Sequence, residues 1–304
     1  MGRGSYTAAD WAALRSNRRF DRVQDASEIF SRSVALSCYD SRNVSVRESR
    51  DHDELHSTPV IIGFDVTASM GYLAKQLATQ TLNEVVSYVN RTRTISSPQF
   101  LLSAIGDVKS DKTPLQVTQF ESDIRIIKQL MELHLEGGGG GNDGESYNLL
   151  WYFAGKHTAV DSYEKRKKKG FLFTIGDDKC HPDLSVVEIG KAFGDEVPYS
   201  MSNSELMTMA EKYYHVFHIN IANGNEENKR AFRDWREHFP THATEINIKD
   251  ICYLSELIAC IIDITNGRDV NETLRSIDPA AAASLSRSVG FIINNNQSGG
   301  VLLF

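Results

Sequence analysis

Pro59-Val60-Ile61-Ile62-Gly63-Phe64, followed at once by Asp65-Val66-Thr67-Ala68-Ser69, decides how this chain is read. An apolar run without outward polar positions is a strand buried on both faces of a parallel sheet. The polar cluster stands at its carboxyl end, where open α/β sheets place their binding sites. One carboxylate and two hydroxyls at alternate positions, Asp65, Thr67 and Ser69, can face a single point. That donor set suits a hard cation, Mg²⁺ or Mn²⁺, which takes oxygen ligands and keeps waters or a guest's oxygen in its shell. The two hydroxyls also suit a second role, capping the helix that begins near Gly71.

Outward from this strand, apolar runs alternate with amphipathic stretches from residue 59 to about 265. The alternation predicts an α/β fold: a doubly wound, mainly parallel sheet with helices on both faces. Strands are expected at 59–64, 100–105, 171–175, 215–221 and 243–248, with 115–120 as an edge or hairpin strand. Leu73, Leu77, Leu82, Val85, Val86 and Val89 share one helical face, and that helix is expected to end at Ser97-Pro98. Further helices are marked by Ile124 to Met131, by Tyr147, Leu150, Trp151 and Ala154, by Leu206 to Tyr213, and by Phe232, Trp235 and Phe239. Ile251, Leu254, Ile258, Ile261 and Ile262 mark a last one, closed near Asn266-Gly267.

These elements bound a domain at 58–267. Residues 1–57 are polar with scattered anchors (Trp11, Phe20, Ile29, Phe30) and read as an extension wrapping that domain. Residues 268–304 read as a second extension, helical over 279–289, whose apolar end Val301-Leu302-Leu303-Phe304 is either disordered or docked.

With 304 residues and 41% hydrophobic side chains the chain can bury a full α/β core. Its net charge of -7 gives no global attraction for phosphate, so nucleic acid is not the expected partner. The one basic run, Lys165-Arg166-Lys167-Lys168-Lys169, lacks interleaved aromatics and reads as a solvated loop. No apolar stretch approaches the ~20 residues of a membrane span, and the amino terminus has no apolar signal core. Cys38, Cys180, Cys252 and Cys260 form no zinc-ligand spacing; Cys252 and Cys260 lie in an apolar helical pattern and read as small core residues. The expectation is a soluble, cytoplasmic protein with reduced thiols.

Three loops carry oxygen donors: Asp65/Thr67/Ser69, Asn142/Asp143 and Asp177/Asp178. In a doubly wound sheet such loops converge where the strand order reverses. Five glycines at 137–141 precede the second loop; they suit a backbone bending closely over a ligand, or a plain flexible linker. Asp107, after Gly106, fits either an outer position of the same site or a structural turn. Cys180-His181 invites a nucleophile or zinc reading, but no second His-x-x-His and no ordering acid accompany it.

The D-x-T-x-S pattern of Asp65, Thr67 and Ser69 resembles the metal-ion-dependent adhesion site of von Willebrand factor A (vWA) domains, and the likeness extends over residues 59–265. It looks most like the vWA domains associated with alpha-kinases and those of bacterial hypothetical proteins. Those show a D-x-T-x-S-M start, a G-G-G-D-x-x-E-D segment and a strand ending in A-D-x-P-C-H. The matching stretches are Asp65-Val66-Thr67-Ala68-Ser69-Met70, Gly139-Gly140-Gly141-Asn142-Asp143-Gly144-Glu145-Ser146 and Gly176-Asp177-Asp178-Lys179-Cys180-His181. The family's usual second-motif threonine is missing, and Asn142 stands where the subgroup has aspartate, with Asp143 one residue late. Either side chain can reach the ion directly or through water, and Asp143 is preferred for its charge. Asp177 aligns better than Asp178 with the aspartate that contacts the ion through water.

The resemblance implies an intracellular, non-enzymatic binding module, a scaffold or adaptor. Its Mg²⁺ or Mn²⁺ would take an Asp or Glu carboxylate from a protein partner as the last ligand. Two alternatives stand beside it: a metal-dependent phosphohydrolase using the same crevice, and a vWA scaffold with a vestigial metal site. Against the hydrolase, the sequence offers no identifiable general base, no Arg/Lys phosphate clamp and no D-x-D-x-T pattern.

Overall fold

The computed structural model describes residues 6–30, 32–48, 56–66, 70–135 and 144–293. Its main sheet contains β1 (Thr58–Asp65), β2 (Pro98–Ile105), β3 (Leu115–Val117), β4 (Gly170–Gly176), β5 (Tyr214–Ala222) and β6 (Ala243–Asn247). The strands lie in the order β6-β5-β4-β1-β2-β3, all parallel except β3, which runs antiparallel to β2 at the edge. β1 is therefore interior, as its unbroken apolar run requires. The chain winds outward from β1 in one direction through β2 and β3, then returns to β1's other side as β4. The gap between the carboxyl ends of β1 and β4 is the topological switch point of the sheet.

Helices cover both faces. They are α1 (Ala8–Arg18), α2 (Gly71–Gln76), α3 (Leu82–Thr92), α4 (Arg125–Leu130), α5 (Asn148–Lys156) and α6 (Asp161–Arg166). The carboxyl-terminal half adds α7 (Val186–Phe193), α8 (Asn203–Glu211), α9 (Glu226–His238), α10 (Leu254–Thr265), α11 (Val270–Arg275) and α12 (Pro279–Ile293). A π-helical turn, Leu77–Thr81, joins α2 to α3.

The period of two along β1 divides the core. Val60, Ile62 and Phe64 face one cluster, built with Trp11 of α1, Leu82 and Val85 of α3, Ile258 of α10 and Leu285 of α12. Ile61 faces the other, with Leu150 and Trp151 of α5, Leu206 of α8 and Trp235 of α9. Each fully buried Ile or Phe of β1 contributes about 1.5–3 kcal/mol.

Phe20, Ile29 and Phe30 are buried in the first cluster together with Trp11. At the other end α12 is bound to β6 through Thr244 Oγ1 to Ser288 O at 2.6 Å and Ser288 Oγ to Glu245 O at 2.5 Å. The apolar tail at 301–304 and the glycines at 137–141 lie outside the described residues.

Several local expectations are corrected. The helix expected to run to Ser97 stops at Thr92, because Arg93 takes a left-handed conformation (φ 53°) and its N–H closes on Val89 O at 3.0 Å. Cys252 is exposed: the stretch Ile248–Tyr253 is a 3-10 turn and α10 begins only at Leu254, whereas Cys260 is buried as expected. α7 falls in a stretch assigned no helix from sequence; Ser185 starts it with a capping box, its Oγ accepting from Glu188 N–H. Within the basic run, Arg166 donates to Ser57 O at 2.8 Å and Lys165 lies 3.5 Å from Asp161, while Lys167, Lys168 and Lys169 are exposed.

Candidate metal centre

Asp65 is the last residue of β1 and is 1% exposed. Phe64 pairs with Ile175 of β4, so the Asp65 carboxylate emerges at the switch point beside Gly176 and Asp177. Tyr147, at the amino end of α5, donates its hydroxyl to Asp65 Oδ2 at 3.3 Å. Gly176 makes room for it: a Cβ at that position would fall 1.9 Å from the Tyr147 hydroxyl. Burial first, then the charges of Asp65, Glu145, Asp177 and Asp178, hold that phenol protonated, well above its ordinary value.

Asp177 opens the loop after β4, and α9 together with the residue Asn223 before it fixes that loop. Asn228 Nδ2 donates to Asp177 O at 2.6 Å, Trp235 Nε1 to Asp178 O at 3.0 Å, and Asn223 Nδ2 to Asp177 Oδ2 at 3.3 Å. Burial, followed by the neighbouring Asp178 charge, pushes the Asp177 carboxyl above its usual range, and the Asn223 contact opposes the rise.

The segment before α5 is stitched to this same loop. Glu145 N–H donates to Lys179 O at 2.9 Å and Glu145 O accepts from His181 N–H at 3.0 Å, a parallel bridge between Glu145 and Cys180. Gly144 turns the chain into that bridge with φ 131°, a conformation side chains rarely adopt, and a Cβ there would meet Lys179 O and His181 Nδ1 at 3.2 Å each. Glu145 is 8% exposed, and its Oε2 is buried with no hydrogen-bond partner among the described residues. Burial, then the charges of Asp65, Asp107, Asp178 and Asp111, push its carboxyl up to about 9.

Asp107 joins the loop after β2 to both. Its Oδ1 accepts from Ser146 Oγ at 3.1 Å and lies 3.0 Å from His181 Nε2, while His181 Nδ1 lies 3.1 Å from Lys109 Nζ. A lysine ammonium only donates, so Nδ1 accepts and Nε2 carries the proton that goes to Asp107, the neutral tautomer. Both ring nitrogens are thereby hydrogen-bonded, one to a carboxylate and one to a lysine. Cys180 is unsuited to nucleophilic work, since burial pushes its thiol up to about 12.

Of the residues singled out from sequence, Asp65 and Asp177 stand on the carboxyl ends of adjacent strands, and Asp178 beside them interacts with both Glu145 and Asp177. Thr67, Ser69, Asn142 and Asp143 lie outside the described residues. Among the described residues no three His, Cys, Asp or Glu side chains are placed to hold one metal ion. Glu145, Tyr147 and the Asp107–His181 contact were not picked out as functional. An acid directly after Gly144 was the visible signal for Glu145, whereas Tyr147 was indistinguishable from a core residue of its helix.

No described helix is long and apolar enough to cross a membrane. No family model and no curated protein matches the sequence. Solved structures to which the chain is similar include the pilus adhesin SpaC from Lactobacillus rhamnosus GG in its open conformation, at 9% identity and a TM-score of 0.47, over 69% of this chain and 30% of that one. They also include von Willebrand factor type A from Catenulispora acidiphila (15% identity, TM-score 0.39, 70% of this chain, 43% of that one). A third is proximal thread matrix protein 1 from the mussel byssus (14% identity, TM-score 0.38, 69% and 48%). The chain thus spans between 30% and 48% of the length of these proteins. Its α/β class rests on the strand order and pairing above.

Proposed function

We propose that this chain is a vWA-type binding module that holds Mg²⁺ or Mn²⁺ at the switch point and presents it to an acidic side chain of a protein partner. The observation that carries the reading is the place of Asp65, buried as the last residue of β1 at the switch point, with Asp177 opening the neighbouring loop after β4. A buried carboxylate at such a point is stabilised by an opposite charge, which a divalent cation would supply.

Asp65 would supply direct negative charge, Thr67 and Ser69 neutral hydroxyls, the Asn142/Asp143 loop a further oxygen, and Asp177 support from the outer shell. The ion supplies a strong, directional attraction for an incoming carboxylate, so a small interface suffices for specificity. A role as a cytoplasmic scaffold or adaptor fits that chemistry. Hydrolysis fits less well, because burial keeps Cys180 a thiol.

Calorimetry on metal-stripped protein tests the reading. Mg²⁺ and Mn²⁺ should bind the wild type, Asp65→Ala should abolish binding, and Asp177→Asn should only weaken it. Silence of the wild type at millimolar cation would remove the proposal's chemistry. A partner retained in Mg²⁺, released by EDTA and lost in Ser69→Ala would supply the second half, and metal-dependent phosphate release that disappears in Asp65→Ala would favour the hydrolase instead.

A further inference from the structure

We infer that the turn between α6 and β4, with the end of α8 beside it, is a docking surface for an acidic segment of a partner protein. Lys167, Lys168 and Lys169 of that turn and Lys212 after α8 are all exposed. In sequence the basic run carries no interleaved aromatic, but the fold brings two beside it. Tyr163 and Tyr213 meet edge to face with ring centroids 5.2 Å apart. Lys167 Nζ lies over the Tyr163 ring, 5.1 Å from its centroid, and Lys212 Nζ over Tyr213 at 4.9 Å. Each ring thus holds one ammonium by its face, and two of the charges are placed before a partner arrives.

The backbone beneath them is set as well. Lys167 takes a left-handed conformation (φ 57°), its N–H donates to Tyr163 O at 3.0 Å, and that of Lys168 donates to Ser162 O at 3.1 Å. Gly170 N–H donates to Tyr213 O at 2.9 Å, which ties the lysine turn to the segment carrying Tyr213 and Lys212. Neighbouring acids are engaged by other groups. Asp161 is buried and pairs with Arg47 and Lys165, and Glu211 Oε1 lies 2.8 Å from His242 Nε2. Glu164 is the one exposed acid of α6, and the four lysines outnumber it.

Three observations choose carboxylates over phosphates. Arg166, the one arginine of the run, turns inward to Ser57 O at 2.8 Å, so the outward charges are lysines. A lysine is a compact point charge, whereas arginine is the residue suited to planar, bidentate recognition of phosphate. The ring faces beneath Lys167 and Lys212 carry ammoniums where a single-stranded nucleic acid would need a platform for its bases. The chain's net charge of -7 opposes a broad anionic bilayer, while a narrow acidic segment meets only the turn, because exposed charges are screened beyond about 8 Å at physiological salt. The turn precedes β4 and Asp177 follows it, so the seven residues of that strand put about 20 Å between this surface and the candidate metal centre. The assignment therefore does not rest on metal binding, and both ends of the sheet can be occupied at once.

Fluorescence anisotropy of a labelled glutamate-rich peptide, titrated with the full chain in EDTA at low salt, tests the assignment. The wild type should bind, and its affinity should fall as salt is added. The combined change Lys167→Glu, Lys168→Glu and Lys212→Glu should weaken binding by at least about tenfold, the joint effect of three exposed ion pairs turned to repulsion. An unchanged urea midpoint in that variant shows that a contact and not the fold was lost. Lys229→Glu with Lys249→Glu, exposed elsewhere on the molecule, should leave the affinity as it was. No binding at millimolar protein, or equal weakening by the Lys229 and Lys249 pair, overturns the surface. Binding that requires Mg²⁺ and vanishes in EDTA moves the peptide to the crevice and overturns it too. Tighter binding of single-stranded oligothymidylate, or of vesicles containing phosphatidylserine, than of the peptide overturns the choice of an acidic protein segment.

Discussion

Tyr147 and Gly176 are matched to each other at atomic contact. Gly176→Ala would put a methyl 1.9 Å from the Tyr147 hydroxyl, so the ring must move and its bond to Asp65 must break. Overpacking of this kind costs about 1–3 kcal/mol. The expected outcome is a lower denaturation midpoint together with weaker Mn²⁺ binding, and unchanged values for both would show that Tyr147 does not position Asp65. His218, stacked on Trp235 with ring centroids 3.7 Å apart, makes a separate prediction. Burial lowers its imidazole from 6.5 to about 3. Between those values the unfolded chain binds a proton that the folded chain does not, so stability is full above the window and falls as pH drops through it. By pH 5 the loss reaches about 2 kcal/mol. His218→Phe keeps a ring against Trp235, and urea midpoints measured from pH 7 to pH 5 should fall less steeply in that variant than in the wild type.

At the scale of elements, α9 is the brace of the loop after β4. Asn225 caps the helix by accepting from Asn228 N–H at 2.7 Å, and Asn228 then reaches across to Asp177 O, Asn220 Oδ1 and Ile221 O. Asn228→Ala strands those carbonyls in a buried position, which should cost about 1–3 kcal/mol. It should also loosen Asp177, so Mn²⁺ affinity should fall alongside the denaturant midpoint; a stability loss with unaltered affinity would confine Asn228 to packing. The same elements mark what a sequence reveals. All six strands of the main sheet were legible, the interior ones from apolar runs such as Pro59 to Phe64 or Phe171 to Ile175 and the edge strand β3 from alternation. Arg93 carried no such mark, since a left-handed arginine replaces the glycine or proline that normally announces a helix end. Cys252 was misplaced because apolar periodicity continues before α10 into a 3-10 turn, in which Ile248, Ile251 and Tyr253 pack against the first cluster while Cys252 is exposed. At the switch point, the places of Asp65 and Asp177 at the ends of β1 and β4 were readable. The Glu145–Cys180 bridge joins residues far apart in the chain, and no local pattern encodes it.

For the whole molecule, the amino-terminal segment and the sheet share one core. Trp11, Leu14, Phe20, Ala26, Ile29 and Phe30 belong to the same cluster as Val60, Ile62 and Phe64. Full burial of a large apolar side chain contributes about 1.5–3 kcal/mol, an upper estimate when the unfolded chain is itself compact. Removing residues 1–30 would forfeit several such contributions at once, against a total stability of about 5–15 kcal/mol for a typical domain. It would also uncover α2, which packs against Ala26–Glu28. The truncated protein should therefore unfold at much lower urea, or fail to show a cooperative transition, and should bind a dye specific for exposed apolar surface. Mn²⁺ gives the complementary measurement, because a ligand at about one hundred times its dissociation constant stabilises a fold by about 2.7 kcal/mol. In the full chain that increment should raise the midpoint and vanish in Asp65→Ala. In the truncated chain a cation that binds only the folded crevice should recover part of the lost transition. A fragment that unfolds at the wild-type midpoint without metal would show that the 58–267 region is self-sufficient, and that the amino-terminal segment merely lies upon it.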